Sequence, residues 1–173
     1  MRRTGVLVLS LALGSLAACV AREHAAAMIH GTQPGSKISG QVTFAPTANG
    51  LKVSIRVANV PPGTHGIHFH EKGACADAGN AAGGHYNPDK VKHGFLPQDG
   101  FALAHAGDLG NIEVAKDGTG SLELTIPGLS LREGPHSIVG RALILHEKRD
   151  DFGQPTGNAG SRIGCGIITV ADR

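Results

Sequence analysis

Leu51-Lys52-Val53-Ser54-Ile55-Arg56-Val57-Ala58 alternates apolar and polar residues without a break. In an extended chain successive side chains point to opposite faces. Leu51, Val53, Ile55 and Val57 therefore share one face, and the pattern predicts a strand buried on that side only. Just before it, Thr47-Ala48-Asn49-Gly50 carries a turn signal, and Ile38, Val42 and Phe44 predict a preceding strand. Further on, Ile112 and Val114 begin a strand, Lys116-Asp117-Gly118-Thr119 supplies a hairpin turn, and Leu122, Leu124 and Ile126 alternate with Ser121, Glu123 and Thr125. Ile138 to His146 and Gly164 to Val170 read as buried strands. No stretch shows a strong apolar repeat of 3.6, and the 26 Gly and 9 Pro suit turns and long loops. The expectation is an all-β sandwich or barrel.

Two stretches, 71–110 and 147–162, lack strand patterning, and both hold ligand-type residues, which favours a functional role for such long loops. Of the ten His, His68 and His70 stand two apart on an extended segment, so their imidazoles share a face. His85, His93, His105 and Asp108 follow through the first long stretch, and His146 ends the apolar run Ala142–Leu145. Three His and one Asp suit a closed tetrahedral zinc site, while a His-only set suits copper(II). Composition alone does not divide these ligands between two metals. His24, His30 and His136 read as solvated or hydrogen-bonded residues, and His65 as the donor of a structural hydrogen bond.

Residues 1–19 read as a targeting segment: Arg2 and Arg3, then a mostly apolar run from Val6 to Leu16 that is too short to span a bilayer. Leu16-Ala17-Ala18-Cys19 resembles the lipobox of bacterial lipoproteins, in which the Cys is lipidated and becomes the N-terminus. That reading predicts an exported protein, periplasmic or on the cell surface, held to a membrane through Cys19. It leaves Cys75 and Cys165 either as a disulfide, which export favours, or as two buried thiols. Residues 20–36, polar and Ala-rich, read as a flexible tether, and 37–173 as one domain. Without Arg2 and Arg3, Lys+Arg falls from 16 to 14 against 14 Asp+Glu. No basic run exists, which argues against nucleic acid as a partner.

The ligand residues sit inside longer strings. Gly63-Thr64-His65-Gly66-Ile67-His68-Phe69-His70, Gly84-His85-Tyr86-Asn87-Pro88, Lys92-His93-Gly94, His105-Ala106-Gly107-Asp108-Leu109-Gly110-Asn111, Gly140 to Glu147 and Gly157 to Gly166 resemble, in order, the motifs of the copper/zinc superoxide dismutases. The resemblance runs from about Gly35 to the C-terminus. It implies a Greek-key β-sandwich of immunoglobulin-like architecture. It also implies dismutation of superoxide to dioxygen and hydrogen peroxide by a copper that cycles between two redox states, protecting the extracytoplasmic compartment. Copper is then expected on His68, His70, His85 and His146, and zinc on His85, His93, His105 and Asp108, with His85 as the bridge. Asp150 is expected to hydrogen-bond one copper and one zinc His, and Arg162 to guide the anion. Cys75–Cys165 is expected as a disulfide tying the first long loop to the last strand. Phe152-Gly153-Gln154-Pro155-Thr156 departs from the family by being short and uncharged, and the Ala- and Gly-rich run from 75 to 85 departs as well. These departures leave open which residues steer superoxide, and whether the protein is a monomer or a homodimer.

Overall fold

The Leu51–Ala58 alternation folds as expected. In the computed structural model, which describes residues 23–171, β2 (Ser39–Thr47) and β3 (Gly50–Ala58) form an antiparallel hairpin in unbroken register from Ser39↔Ala58 to Thr47↔Gly50. Leu51, Val53, Ile55 and Val57 are buried beside Val42 and Phe44. At the turn, Thr47 Oγ1 accepts from Asn49 N (3.2 Å) and donates to Gly50 O (2.8 Å), as a short polar side chain does where the chain reverses.

The other strands are β1 (Ala25–Gly31), β4 (Gly63–His70), β5 (Asp108–Val114), β6 (Gly120–Ile126), β7 (Ala142–His146), β8 (Arg162–Ile167) and β9 (Thr169–Val170). Pairing runs β2-β3-β6-β5-β4-β7-β8-β1, and β1 pairs back to β2, so eight strands close a barrel with β9 appended to β1. Two seams are narrow: β5–β6 share one register pair and β1–β8 two. The barrel thus divides into two four-stranded sheets, β1-β2-β3-β6 and β5-β4-β7-β8, the sandwich of the sequence reading. The chain crosses between them at β3→β4, β5→β6, β6→β7 and β8→β9, and the β3→β4 and β6→β7 connections join strands that are not neighbours, as in a Greek key.

The tether expected over 20–36 is corrected. Residues 20–22 lie outside the described set, as do 1–19 with Cys19, but Ala25–Gly31 is strand β1, paired with β2 along Ala25↔Phe44 to His30↔Ser39. The domain therefore begins near Ala25 rather than at residue 37. Ala25, Ala27 and Ile29 are buried while Met28 and His30 are exposed. Alanines on both faces conceal that period. Two other strands are shorter than expected. Only Ala142–His146 of the Ile138–His146 run is strand, because Gly140 takes a left-handed φ of 84° just ahead of it. The Gly164–Val170 run is divided between β8 and β9.

Strands β4 and β7 are buried on both faces. Ile67, Phe69, Leu143 and Leu145 face the barrel core. The alternate residues, His68, His70, Ala142, Ile144 and His146, face outward and are buried only because the two long loops fold over them. The first loop contains a 3-10 turn (Asn80–Ala82) and one short helix, α1 (Leu96–Asp99). It is laced to the sheet through Gly107: Phe69 N donates to Gly107 O (2.9 Å) and Gly107 N to Tyr86 O (2.9 Å). A Cβ at 107 would lie 2.3 Å from Phe69 O, so only glycine lets the loop approach this closely.

Candidate metal centre

The outward face of β4 and β7 brings three imidazoles together, and the first loop adds a fourth. One ligand atom each from His68, His70, His85 and His146 lies within 4.8 Å of the others, all buried, and the same holds for His85, His93, His105 and Asp108. Register explains the first set: His68 pairs with Ile144 and His70 with Ala142, which places His146 across from them. β-bulges between Gly66 and His68 and between Leu145 and His146 re-aim both strands at the site.

Each ring has one nitrogen committed to the protein. His68 Nε2 donates to Asp150 Oδ2 (2.7 Å), His70 Nδ1 to Gly83 O (3.0 Å) and His146 Nδ1 to Gly160 O (3.3 Å). These bonds select the tautomer and leave His68 Nδ1, His70 Nε2 and His146 Nε2 buried with no protein partner. Each orphaned polar atom costs about 1–3 kcal/mol, a cost removed when a cation takes the lone pairs. Burial, opposed by the Gly83 bond, lowers the His70 pKa to about 2, and burial beside the neighbouring rings lowers that of His146 to about 3. Both rings are neutral at pH 7, the form that binds metal.

The second set is organised on one oxygen. Asp108 Oδ1 lies 2.9 Å from His85 Nδ1, 3.0 Å from His93 Nδ1 and 3.1 Å from His105 Nδ1. A carboxylate oxygen cannot accept three such bonds in good geometry, and His93 Nδ1 indeed makes no hydrogen bond. The separations instead approximate the edges of a tetrahedron with arms of about 2.0–2.1 Å, roughly 3.3 Å, as zinc with N/O ligands has. Asp108 Oδ2 is fixed separately by Gly94 N (3.0 Å) and His105 N (2.9 Å). Burial alone would raise the Asp108 pKa, but His105, His85, His93 and the Gly94 amide outweigh it and hold the carboxyl well below its usual range.

His85 belongs to both sets. Its Nδ1 is on Asp108, which leaves Nε2 for the other group, and burial, outweighing Asp108, lowers its pKa to about 4. Asp150 spans the same two sets from the far side, accepting from His68 Nε2 and from His93 Nε2 (3.0 Å to each oxygen). Because those rings turn their other nitrogens toward the ligand sets, Asp150 links the two sets and does not form a third. Burial opposes the charge on His93, but Asp108 and Asp150 prevail and raise its pKa to about 9. A metal that takes His93 Nδ1 must expel that proton. Zinc uptake is therefore expected to release protons below pH 9, with an affinity that climbs from pH 6 to 9 and then levels. Zinc titrations across that range check this, and a flat profile contradicts it.

Arg162 donates Nη1 to Gly79 O and Nη2 to Gly83 O, both at 2.7 Å. Arg162 lines, with His70, His85, His146, Thr156 and Asn158, a cavity of about 200 Å³. A wider groove of about 460 Å³ beside the disulfide offers one imidazole, His30, and no carboxylate, so the chemistry favours the smaller cavity. Cys75 and Cys165 are disulfide-bonded, with Cα atoms 5.8 Å apart. The bond anchors the loop whose carbonyls hold Arg162: Gly79 N donates to Cys75 O. His65 lies outside both ligand sets and ties β4 to β7, its ring nitrogens 2.9 Å from His146 O and 2.8 Å from Pro61 O. His136, read from sequence as a solvated or hydrogen-bonded residue, is hydrogen-bonded to Asp89 (2.7 Å) and stacks on Phe101 at 3.6 Å. Sequence reasoning gave no role to Gln154, nor to Asn111 within its motif. Gln154 brackets the His93 backbone, and Asn111 brackets that of Asp150.

A closed Greek-key barrel carrying two His-rich clusters that share one imidazole is a scaffold whose side chains suit a pair of metal ions. Residues 38–168 match the family described as copper/zinc superoxide dismutase (SODC). The chain is 38% identical over 157 residues to the extracellular Cu-Zn superoxide dismutase of Haemonchus contortus, covering 87% of this chain and 83% of that one. It is 40% identical over 146 residues to the extracellular Cu-Zn superoxide dismutase of Caenorhabditis elegans, covering 80% and 64%. Its fold is similar to a crystal structure of the clock protein EA4, with a TM-score of 0.75 and 36% identity over 87% of this chain and 96% of that one. The chain belongs to the copper/zinc superoxide dismutase family, a class of oxidoreductases that use copper and zinc.

Proposed function

We propose that the chain dismutes superoxide at this paired centre. His68 Nδ1, His70 Nε2, His146 Nε2 and His85 Nε2 would hold copper, and Nδ1 of His85, His93 and His105 with Asp108 Oδ1 would hold zinc. The observation that carries the assignment is that His68 Nδ1, His70 Nε2, His93 Nδ1 and His146 Nε2 are buried with no protein partner, each on a residue whose ligand atom lies within 4.8 Å of those of its set. Bound copper supplies the one-electron exchange that turns two superoxide anions and two protons into dioxygen and hydrogen peroxide. The remaining work falls to side chains. Arg162 spends two of its five N–H groups on Gly79 and Gly83 and keeps the others for an anion in the cavity. Its charge matters because 152–156 carries none. With Nδ1 given to zinc, a proton carried on His85 Nε2 while that atom is free of copper would leave an imidazolate behind when passed to peroxide, and the neighbouring cation would lower the cost of that loss. Asp150 holds the His68 and His93 rings at fixed angles.

The test is direct observation of superoxide decay by residues 20–173 loaded with copper and zinc. Fast, copper-dependent decay is expected, falling with added salt and lost in His146→Ala. If the chain holds both metals yet clears superoxide no faster than the variant, the dismutase assignment fails and copper carriage becomes the function.

We also propose that the protein is exported and lipid-anchored at Cys19. Relatives named extracellular support export, and Leu16-Ala17-Ala18-Cys19 supports a lipid. The full chain is expected to sediment with membranes and Cys19→Ala to remain soluble. A full chain that is soluble in both forms removes the anchor.

A further inference from the structure

We infer that Gln154, in the uncharged segment after Asp150, is a positioning residue for the zinc site that acts through His93; this rests on the assignment of His93 as a zinc ligand. Phe152-Gly153-Gln154-Pro155-Thr156 carries no charged side chain. Its role comes from its contacts. His93 N donates to Gln154 Oε1 (3.1 Å) and Gln154 Nε2 donates to His93 O (2.8 Å), so one side-chain amide satisfies both backbone groups of a buried residue. The amide orientation is dictated by its partners, because an N–H needs the oxygen and a carbonyl needs the NH₂. Two neighbours act on the same residue. Asp150 bonds His93 Nε2, and the Phe152 ring lies nearly parallel to the His93 ring (22°) with centroids 6.4 Å apart.

His93 is thereby fixed at every polar atom except Nδ1, the one aimed at Asp108. The segment is itself anchored: Asn111 brackets the Asp150 backbone in the same reciprocal way (2.7 and 3.0 Å), and Gly157 N closes onto Gly153 O (2.7 Å). Gln154 is exposed at the surface, so its replacement leaves the core intact. Without the amide, His93 keeps its ring contacts but its backbone is free to move, and the zinc ligand set loosens, while three of the four copper ligands, His68, His70 and His146, stay fixed on β4 and β7. Loss of partners that orient ligands typically costs 10–100-fold in metal affinity.

The experiment uses the copper- and zinc-loaded chain with Gln154→Met, which removes both bonds at similar volume, and Gln154→Glu, which sets an oxygen against the His93 carbonyl. Zinc transfer to a chromophoric chelator is expected to be roughly 10-fold faster in both variants. The visible bands of cobalt(II) placed at the zinc site are expected to shift. Copper release is expected to match wild type, and the metal-free chain is expected to stay folded and melt only a few degrees lower, for the two His93 backbone groups left without the amide. Unchanged zinc release and cobalt bands overturn the inference, as does an equal acceleration of copper release. His93→Ala serves as the reference: if it retains zinc like wild type, the ligand assignment itself fails and the role of Gln154 falls with it.

Discussion

Asp108→Ala is expected to abolish tight zinc binding and to destabilise even the metal-free domain. Asp108 is fully buried and is the anion of the second ligand set. Its Oδ1 meets three imidazole nitrogens within 3.1 Å, and its Oδ2 accepts from Gly94 N and His105 N. Alanine leaves those two amides unpaired at about 1–3 kcal/mol each. It also strips the counter-charge from His93, whose raised pKa depends on Asp108 and Asp150. Breaking a buried pair by removing one partner costs about 3–5 kcal/mol. For a domain of this size that is a fall in melting temperature on the order of 10 °C. Zinc affinity is expected to fall at least about 100-fold, since even partners that only orient a ligand carry 10–100-fold. Melting of the chelator-treated chain and zinc competition measure the two effects separately. A variant that melts with wild type and keeps its zinc would remove Asp108 from the site.

Gly157→Ala has the second largest expected effect. Gly157 has φ of 74°, where an L side chain is strained by about 1–2 kcal/mol. A Cβ there would lie 1.8 Å from Asp150 Oδ1 and 2.7 Å from His93 Nε2. The carboxylate cannot withdraw intact, because Asn111 pins the Asp150 backbone and Phe152 N holds Oδ1 (2.8 Å). The clash is relieved by turning Asp150 away from His68 and His93. Overpacking of this kind costs about 1–3 kcal/mol. Together with the strain, the expected loss is about 2–5 kcal/mol. Both metals are expected to bind more weakly, because one carboxylate orients a ring from each set. This distinguishes Gly157→Ala from the Gln154 variants, in which zinc alone is affected. Wild-type affinity for both metals in Gly157→Ala would show that Asp150 does not orient the ligands.

Legibility followed contrast between the faces of each strand. β3 and β6 were plain because Lys52, Ser54, Arg56, Glu123 and Thr125 alternate with large apolar residues. β1 was hidden because Ala25 and Ala27 on the buried face match Ala26 on the other. Its burial is visible only once β2 and β8 lie alongside. The candidate ligands were legible because the His68 and His70 imidazoles, two apart on a strand, share a face, and because the motifs around the others resemble one family in order. Gln154 was illegible because an uncharged amide in a loop carries no signal, and its partner lies 61 residues earlier.

The sequence by itself determined the strands whose two faces differ in polarity and which His and Asp residues are candidate ligands; the shared place of His85 was implied only by the family resemblance. Period-two patterning is a local property, written into neighbouring residues. Only the tertiary structure decided which nitrogen of each ring is free. That choice is made by hydrogen bonds from distant segments: His68 to Asp150 across 82 residues, His93 to Asp150 across 57, His70 to Gly83 and His146 to Gly160 across loops. A ring nitrogen becomes a metal ligand when the opposite one is occupied, and that occupancy exists only after the loops have folded over β4 and β7.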